Sequence, residues 1–343
     1  MDPTRRLRLL QSKLTALAGH PQDGLLGPFP SGATLTDRSS AWLLVEDAGP
    51  RALGGAMLWA HRHGCSSLRV VLDPVDSLVA SDLSRRAGAT RGVVSVWTLD
   101  GDQLCPVEPD GAHHEQPAPP GVDPLVELLV AEGCEVVIED GVVRGEWLGL
   151  EVARIEDLGD GWTLQCGVGR FDREAGAMMR AGTDAPQSLR SVLSVVRAAR
   201  HPGAPPHPMR DMCRERWLRA ALLVDSSAIG VSALVAMASG VPRVNLRDPH
   251  PALALGRDSG GRVLVAATVG VDVDLVGVIA GVVADDSTIA EIVVVHPVDR
   301  PLLDAAREVF AWLGRPTRFV GVPAPWELAS TAVAGTESDG ATT

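Results

Sequence analysis

The most informative pattern along the chain is a near-continuous apolar run that ends in Val-Val-x-x-Pro-Val-Asp and occurs twice. The first copy spans residues 70–76 and the second spans residues 293–299. Strands that are buried on both faces of a parallel sheet have such unbroken runs of Val and Leu, whereas half-exposed strands alternate apolar and polar residues. Both runs are therefore predicted to be central strands of a parallel sheet.

The flanks of the two runs match in order and spacing. Each run is preceded by a hairpin pattern, an apolar run and a stretch of helical length, and is followed by a second helix and a third apolar run. Alternation of strand and helix is the parallel crossover pattern of α/β folds. We therefore predict an α/β protein with two related hairpin-plus-βαβαβ units, residues 33–104 and 246–323, which arose by internal duplication. The two copies are expected to pack about a pseudo-two-fold axis.

The rest of the chain divides into four parts. Leucines at three- and four-residue steps near the amino terminus predict an amphipathic helix. Between the two copies, hairpin and helix signals predict a mixed α+β region, and a partial third copy of the unit is left open there. The predicted parts are a helix and linker at 1–32, a Pro/His-rich linker at 105–122, the central region at 123–245 and a disordered tail at 324–343.

Composition narrows the classes of function. A net charge of −12 argues against a protein that coats nucleic acid or an anionic membrane. Asp272 and Asp274 interrupt the longest apolar region, so we expect no membrane span, and no export signal is recognised. The five cysteines are widely spaced without a Cys-x-x-Cys pair, as in reduced cytoplasmic proteins. The preference for arginine over lysine indicates a GC-rich bacterial genome.

Lysine is almost absent, which excludes several mechanisms. Of 31 basic residues only Lys13 is a lysine, and it lies in the predicted amino-terminal helix. Phosphate-binding loops, Schiff-base enzymes and kinases need a lysine in the folded site. Any chemistry here is expected to use carboxylates, histidine and arginine.

Carboxylates and a histidine follow the predicted strands of the second unit. Asp272, Asp274, His296 and Asp299 are all placed near the carboxyl ends of strands, where open α/β sheets bind ligands. This set of side chains suits a hard cation such as Mg²⁺ or Mn²⁺. The favoured alternative is that the aspartates cap helices, because Asp is a preferred N-cap residue.

A glycine-containing turn in the central region is a candidate anion-binding turn. Gly167, Gly169 and Arg170 follow a predicted strand and open a predicted helix. Backbone N–H groups in that position hold phosphate in many proteins. The third glycine of the dinucleotide-binding motif is missing, so a tight turn capped by Asp172 is the favoured alternative.

The order of helix, hairpin, strand and helix over residues 124–181 resembles the core of restriction-type nucleases. The acids available to such a core are Glu127, Asp140 and Glu151. The strand lysine of those nucleases has no counterpart here, and arginine is a poor substitute because it stays charged. The resemblance concerns element order alone and implies a degenerate core.

Arginine and tryptophan occur together on one predicted helix near the end of the central region. Arg214 and Trp217 are the candidate partner-binding residues, since both types are frequent at interface hot spots. The favoured alternative is that Trp217 packs inward while Arg214, Arg216 and Arg219 lie at the rim.

These patterns favour a non-catalytic binding or scaffold protein over an enzyme. A protein partner or self-association is expected rather than nucleic acid or membrane, and no cofactor is expected. The alternative is a divalent-metal-dependent phosphoesterase that uses Mg²⁺ or Mn²⁺ with the degenerate nuclease-like core.

Overall fold

A computed structural model describes most of the chain and mixes helices with three sheets, which confirms the predicted α/β class. All structural statements below concern residues 2–21, 23–30, 32–46, 48–49, 51–109, 116–179, 183–243 and 245–327.

The first unit is a six-stranded sheet in the order β1-β2-β3-β4-β5-β6. β3, β4 and β5 are parallel, and the outer pairs are antiparallel. The helix α1 packs on one face through Leu10 and Leu14, which confirms its amphipathic pattern. Its elements are α1 (Pro3–Leu17), β1 (Leu25–Phe29), β2 (Gly32–Asp37), β3 (Ser40–Val45), α2 (Ala52–Arg62), β4 (Ser67–Leu72), α3 (Ser77–Gly88), β5 (Val94–Asp100) and β6 (Gln103–Pro106).

The central unit is an antiparallel meander in the order β10-β9-β8-β7, with α4, α5 and α6 packed against it, whereas α8 packs on the sheet of the second unit. It has neither parallel strands nor a crossover within the described residues, so its sheet differs from those of the two flanking units. Its elements are α4 (Asp123–Ala131), β7 (Glu135–Glu139), β8 (Val142–Trp147), β9 (Leu150–Asp157), β10 (Trp162–Cys166), α5 (Gly169–Met179), α6 (Ala185–Ala199), α7 (Pro208–Asp211), α8 (Arg214–Val224) and a 3₁₀ turn (Ser227–Ile229).

The second unit is a five-stranded sheet in the order β11-β12-β13-β14-β15. β11 and the hairpin of β12 and β13 are antiparallel, whereas β13, β14 and β15 are parallel, as β3, β4 and β5 are in the first unit. Its elements are β11 (Ser232–Met237), β12 (Ala252–Asp258), β13 (Gly261–Ala267), α9 (Leu275–Asp285), β14 (Ile289–Pro297), α10 (Asp304–Glu308), a 3₁₀ turn (Val309–Leu313) and β15 (Thr317–Val322).

The first five strands of the first unit agree in order and direction with the five strands of the second. The antiparallel β6 of the first unit has no counterpart among the described residues of the second. The two units also differ in detail, since the helix expected at residues 301–313 starts only at Asp304, after extended Leu303. Helices α2 and α9 pack together, and both units contribute to one hydrophobic core. Common origin by duplication and a pseudo-two-fold axis remain predictions.

Four predicted segments contain elements or contacts that the prediction did not give them. The segment 1–32 contains β1 as well as a helix, and the linker 105–122 starts with the end of β6. The central region 123–245 contains β11, which belongs to the sheet of the second unit. Residues 324–327, the start of the predicted disordered tail, are packed because Trp326 lies edge-to-face on Trp217 with ring centroids 5.9 Å apart. The remainder of that prediction, residues 328–343, lies outside the described residues, as do residues 110–115 of the linker.

The cysteines and the helices bear on two expectations from composition. All five cysteines lie within the described residues, where none of them forms a disulfide, and four of them are buried. Throughout the described ranges, every helix is too short or too polar to cross a membrane.

Candidate anion-binding site

A dense group of charged side chains lines a cavity of about 570 Å³ in the central unit. The cavity is bounded by β7, β8 and β9, by the first turn of α5, by the start of α8 and by residues 238–243, 245 and 246 between β11 and β12. The charged residues of its lining are Glu139, Asp140, Arg144, Glu146, Glu151, Arg154, Arg170, Arg173, Arg216 and Arg243. Six arginines thus face four carboxyl groups.

Hydrogen bonds within the segment and to the first unit hold residues 238–243 over the cavity. Ser239 Oγ lies 2.8 Å from Nε2 of the buried His250 and donates to Val241 O. Gly240 O accepts from Arg86 Nη2 at 2.9 Å, and this contact ties the segment to α3 of the first unit. The wall of the cavity therefore depends on two units of the protein.

The floor of the cavity is a buried ion-pair network. Arg216 on α8 pairs with Glu139 and Glu146 of the meander, and Arg219 lies 3.4 Å from Glu146. Burial opposes the charge of Arg216, but Glu146 and Glu139 raise its pKa above the ordinary value. Burial likewise acts to raise the pKa of Glu139, but Arg216 and Arg144 hold it below its usual range. Both partners are therefore ionised at neutral pH.

A single carboxylate is shared by three guanidinium groups at the side of the cavity. Glu151 Oε1 lies 2.6 Å from Arg173 and 2.8 Å from Arg154, and Glu151 Oε2 lies 3.2 Å from Arg144. Burial lowers the pKa of Arg173, and the neighbouring Arg154 acts in the same direction. Arg144 and Arg154 also pair with Glu139 and Glu156. Across the whole lining the six arginines still outnumber the four carboxyl groups, so the cavity attracts anions.

Arg243 provides donors that the protein itself does not use. Its Nε and Nη2 atoms are buried and have no hydrogen-bond partner among the described residues, while Nη1 contacts the thiol of Cys213. Buried guanidinium groups normally bind carboxylate or phosphate through two parallel hydrogen bonds. An anion in the cavity would satisfy both free donors.

The predicted anion-binding turn is located at this cavity. Gly169 and Arg170 line it, and Gly167 lies behind them, where a Cβ atom would come within 2.7 Å of Arg173 N. The favoured alternative, a turn capped by Asp172, is also present, since Asp172 Oδ2 accepts from Val168 N at 2.7 Å. The turn therefore brings the N-terminus of α5 to the arginine cluster.

The acids of the nuclease-like pattern are divided between two places. Asp140 and Glu151 line the cavity, whereas Glu127 is exposed on α4 and takes no part in the lining. Because Glu151 is paired with three arginines, its charge is already compensated. The four strands of this region, β7 to β10, form an antiparallel meander.

The candidate metal ligands contact different neighbours. Asp274 Oδ2 pairs with Arg51 Nε at 2.7 Å, the exposed Asp299 lies 3.7 Å from Arg300, and His296 Nδ1 lies 2.9 Å from Pro297 O. Asp272 Oδ1 accepts from Asp274 N at 2.9 Å. Within the described ranges, no three His, Cys, Asp or Glu side chains are grouped to hold a metal ion, and the metal site stays a prediction.

The candidate partner-binding residues lie inside the fold or at its edge. Trp217 is buried, as the alternative interpretation expects, and the Arg214 guanidinium stacks 5.0 Å from the Trp326 ring. Arg216 and Arg219, expected at the rim, are instead buried in the ion-pair network. One sequence signal for this pairing exists, because Glu135 and Glu139 share one face of β7 and α8 carries arginines three residues apart.

Comparison with protein-family models, with curated proteins and with solved structures finds no match for the chain.

Proposed function

We propose that the chain is a non-catalytic binding protein whose arginine-lined cavity receives an acidic segment of a protein partner. The observation that carries this proposal is the pair of unused donors on Arg243 in a cavity whose arginines outnumber its carboxyl groups. Clusters of arginines are a recurring means of recognising acidic motifs in polypeptides.

The ionisation of the cavity supports binding rather than catalysis. A general acid or base must exchange a proton near neutral pH. Arg216 and Arg144 keep Glu139 charged against the effect of burial, and burial raises the pKa of the Cys213 thiol, so that its nucleophilic thiolate form is disfavoured. These groups suit a fixed electrostatic surface.

The dimensions of the site support an extended ligand. A second cavity of about 610 Å³ adjoins the first and shares Arg154, Arg170 and Arg173 with it. The second cavity is also lined by Leu158 and Met178, so the ligand would meet charged and apolar side chains in turn. A polypeptide with acidic and apolar residues fits this combination better than a small inorganic anion.

The direct test is fluorescence anisotropy with labelled peptides added to the full chain. The probes are a Glu-Leu-Glu-Leu-Glu peptide and the matched Gln-Leu-Gln-Leu-Gln peptide, with inorganic phosphate and a single-stranded oligonucleotide as competitors. We expect binding of the acidic peptide alone, weakened by salt because the contacts are charged.

Two variants localise that binding. Arg243→Gln removes the unused donors and is expected to weaken binding about tenfold or more, the effect of losing hydrogen bonds to a charged group. Arg247→Gln changes an exposed arginine of the same loop that does not line the cavity, and it should bind normally. Equal binding of the glutamine peptide, displacement by the oligonucleotide or unchanged affinity in Arg243→Gln would each reject the proposal.

A further inference from the structure

A third, smaller cavity lies in a different part of the molecule, against the second flanking unit. Its volume is about 230 Å³, and it lies between the loop that follows β13, helix α2 and helix α10. Ligands of open α/β sheets bind outside the carboxyl ends of the strands, and the loop after β13 is such a position. The residues that matter for its chemistry are Leu58, Arg62, Asp272, Leu275, Leu302 and Leu303.

The body of this cavity is apolar. Leu58, Leu275 and Leu302 form its walls, and the partly exposed Leu303 and Val271 stand at its mouth. A leucine-lined cavity gains free energy when an apolar chain displaces water from it. At about 30 Å³ per water molecule, its volume corresponds to roughly eight waters, which suits a ligand the size of an amino acid and not a nucleotide.

One carboxylate oxygen in this cavity has no partner. Asp272 Oδ1 accepts the Asp274 backbone N–H, but Asp272 Oδ2 is buried without a hydrogen bond to any described residue. A buried carboxylate without a partner is costly, and a cationic group that binds it removes that cost.

The charges around Asp272 favour a cation. The nearest guanidinium, Arg51, is already paired with Asp274 at 2.7 Å. Arg62 lines the same cavity, is exposed, and has no ion pair within the described ranges. The cavity thus combines an acceptor for an ammonium group, an apolar body and a free guanidinium group.

We infer that this cavity binds a free apolar α-amino acid. Its ammonium group pairs with Asp272, its aliphatic side chain lies among the leucines, and its carboxylate meets Arg62. The site shares no lining residue with the arginine-lined cavity, so either assignment stands or fails without the other.

Isothermal titration calorimetry on the full chain tests the three parts of the ligand. L-leucine carries all of them, isoamylamine lacks the carboxylate and 4-methylpentanoate lacks the ammonium group. We expect L-leucine to bind, isoamylamine to bind more weakly and 4-methylpentanoate not to bind. Equal affinity for 4-methylpentanoate and L-leucine, or no heat with L-leucine, overturns the inference.

Variants separate the contacts. Asp272→Asn keeps the shape of the side chain and should weaken L-leucine binding about tenfold or more. Arg62→Gln should weaken the binding of L-leucine and leave the binding of isoamylamine unchanged. The control is Asp299→Asn, whose carboxylate is 61% exposed and lies outside the cavity, and it should bind as the parent does.

A third variant covers the case in which Asp272→Asn does not fold. Ala305 also lines the cavity, so Ala305→Phe fills it without touching the carboxylate, and it should abolish binding. L-leucine binding that survives in Ala305→Phe rejects the site. Titration with MnCl₂ gives the competing result, because Mn²⁺ binding that displaces L-leucine and is lost in Asp272→Asn would assign the carboxylate to a metal ion.

Discussion

Gly54 on α2 and Gly277 on α9 bring the backbones of the two flanking units into direct contact. A Cβ atom on Gly277 would lie 2.8 Å from Gly54 N, and one on Gly54 would lie 2.4 Å from Val273 O. Both glycines occupy the third position of their helix, and these helices correspond in the two units. This is the contact expected of two equivalent helices that cross at a pseudo-two-fold axis.

The first prediction concerns this contact. Gly277→Ala should destabilise the protein by about 1–3 kcal/mol, because the added methyl group meets backbone and forces the helices apart. The measurement is urea denaturation followed by circular dichroism. The control is Gly281→Ala in the same helix. The atoms nearest to its Cβ would be those of the Arg86 side chain, the closest at 3.4 Å. Equal stability of the two variants would contradict a rigid contact.

Sequence patterns predict the elements of the two flanking units because buried parallel strands have unbroken apolar runs in their sequence. They do not predict the crossing of α2 and α9, since a glycine in a helix has the same pattern whether it faces solvent or another backbone. At the arginine-lined cavity, the turn at Gly167, Gly169 and Arg170 is formed by residues that are close in sequence, so the sequence pattern predicts it. Arg173, Arg216 and Arg243 come together only through the packing of distant elements, which no local pattern records.

The second prediction concerns the buried ion pairs. Glu146 is 2% exposed and faces both Arg216 and Arg219. Glu146→Gln leaves two buried guanidinium groups with one carboxylate fewer, and we expect a loss of about 3–5 kcal/mol in the free energy of unfolding. Glu174→Gln, which breaks an exposed pair with Arg170, should leave stability unchanged. A loss below about 1 kcal/mol for Glu146→Gln would show that the network adds little.

The third prediction concerns the carboxyl-terminal end of the described chain. Trp326 is 1% exposed, lies on Trp217, and its carbonyl accepts from Gly203 N at 3.0 Å. Trp326→Ala should cost about 3–5 kcal/mol, as loss of a buried aromatic side chain does. The exposed Trp162 is the control, and Trp162→Ala should cost less free energy of unfolding. Similar effects of the two substitutions would mean that the carboxyl-terminal end adds little to the core.

The fourth prediction concerns His250, which is buried beside the arginine-lined cavity. Burial, together with Arg243 and Arg216, lowers the pKa of His250 to about 3. Unfolded histidine has a pKa near 6.5, so the neutral ring contributes its stabilisation above about pH 6.5, and this is lost as the pH falls towards 3. His250→Gln should flatten the loss of stability between pH 6.5 and pH 4, measured by urea denaturation at each pH. An unchanged slope would mean that another group dominates this range.

The fifth prediction has the opposite sign and concerns Asp272. Its folded pKa is about 7, whereas an unfolded aspartate titrates near 3.9, so the folded state holds a proton that the unfolded state releases. The resulting stabilisation is complete below about pH 4, declines as the pH rises to about 7 and is absent above that. Asp272→Asn should therefore match the parent near pH 4 and exceed it in stability at pH 8, where the parent must bury a charged carboxylate. The exposed Asp299→Asn provides the control, with parallel curves for variant and parent. A variant that is less stable than the parent at pH 8 would show that the Asp272 carboxylate has a stabilising partner in solution, such as a bound cation.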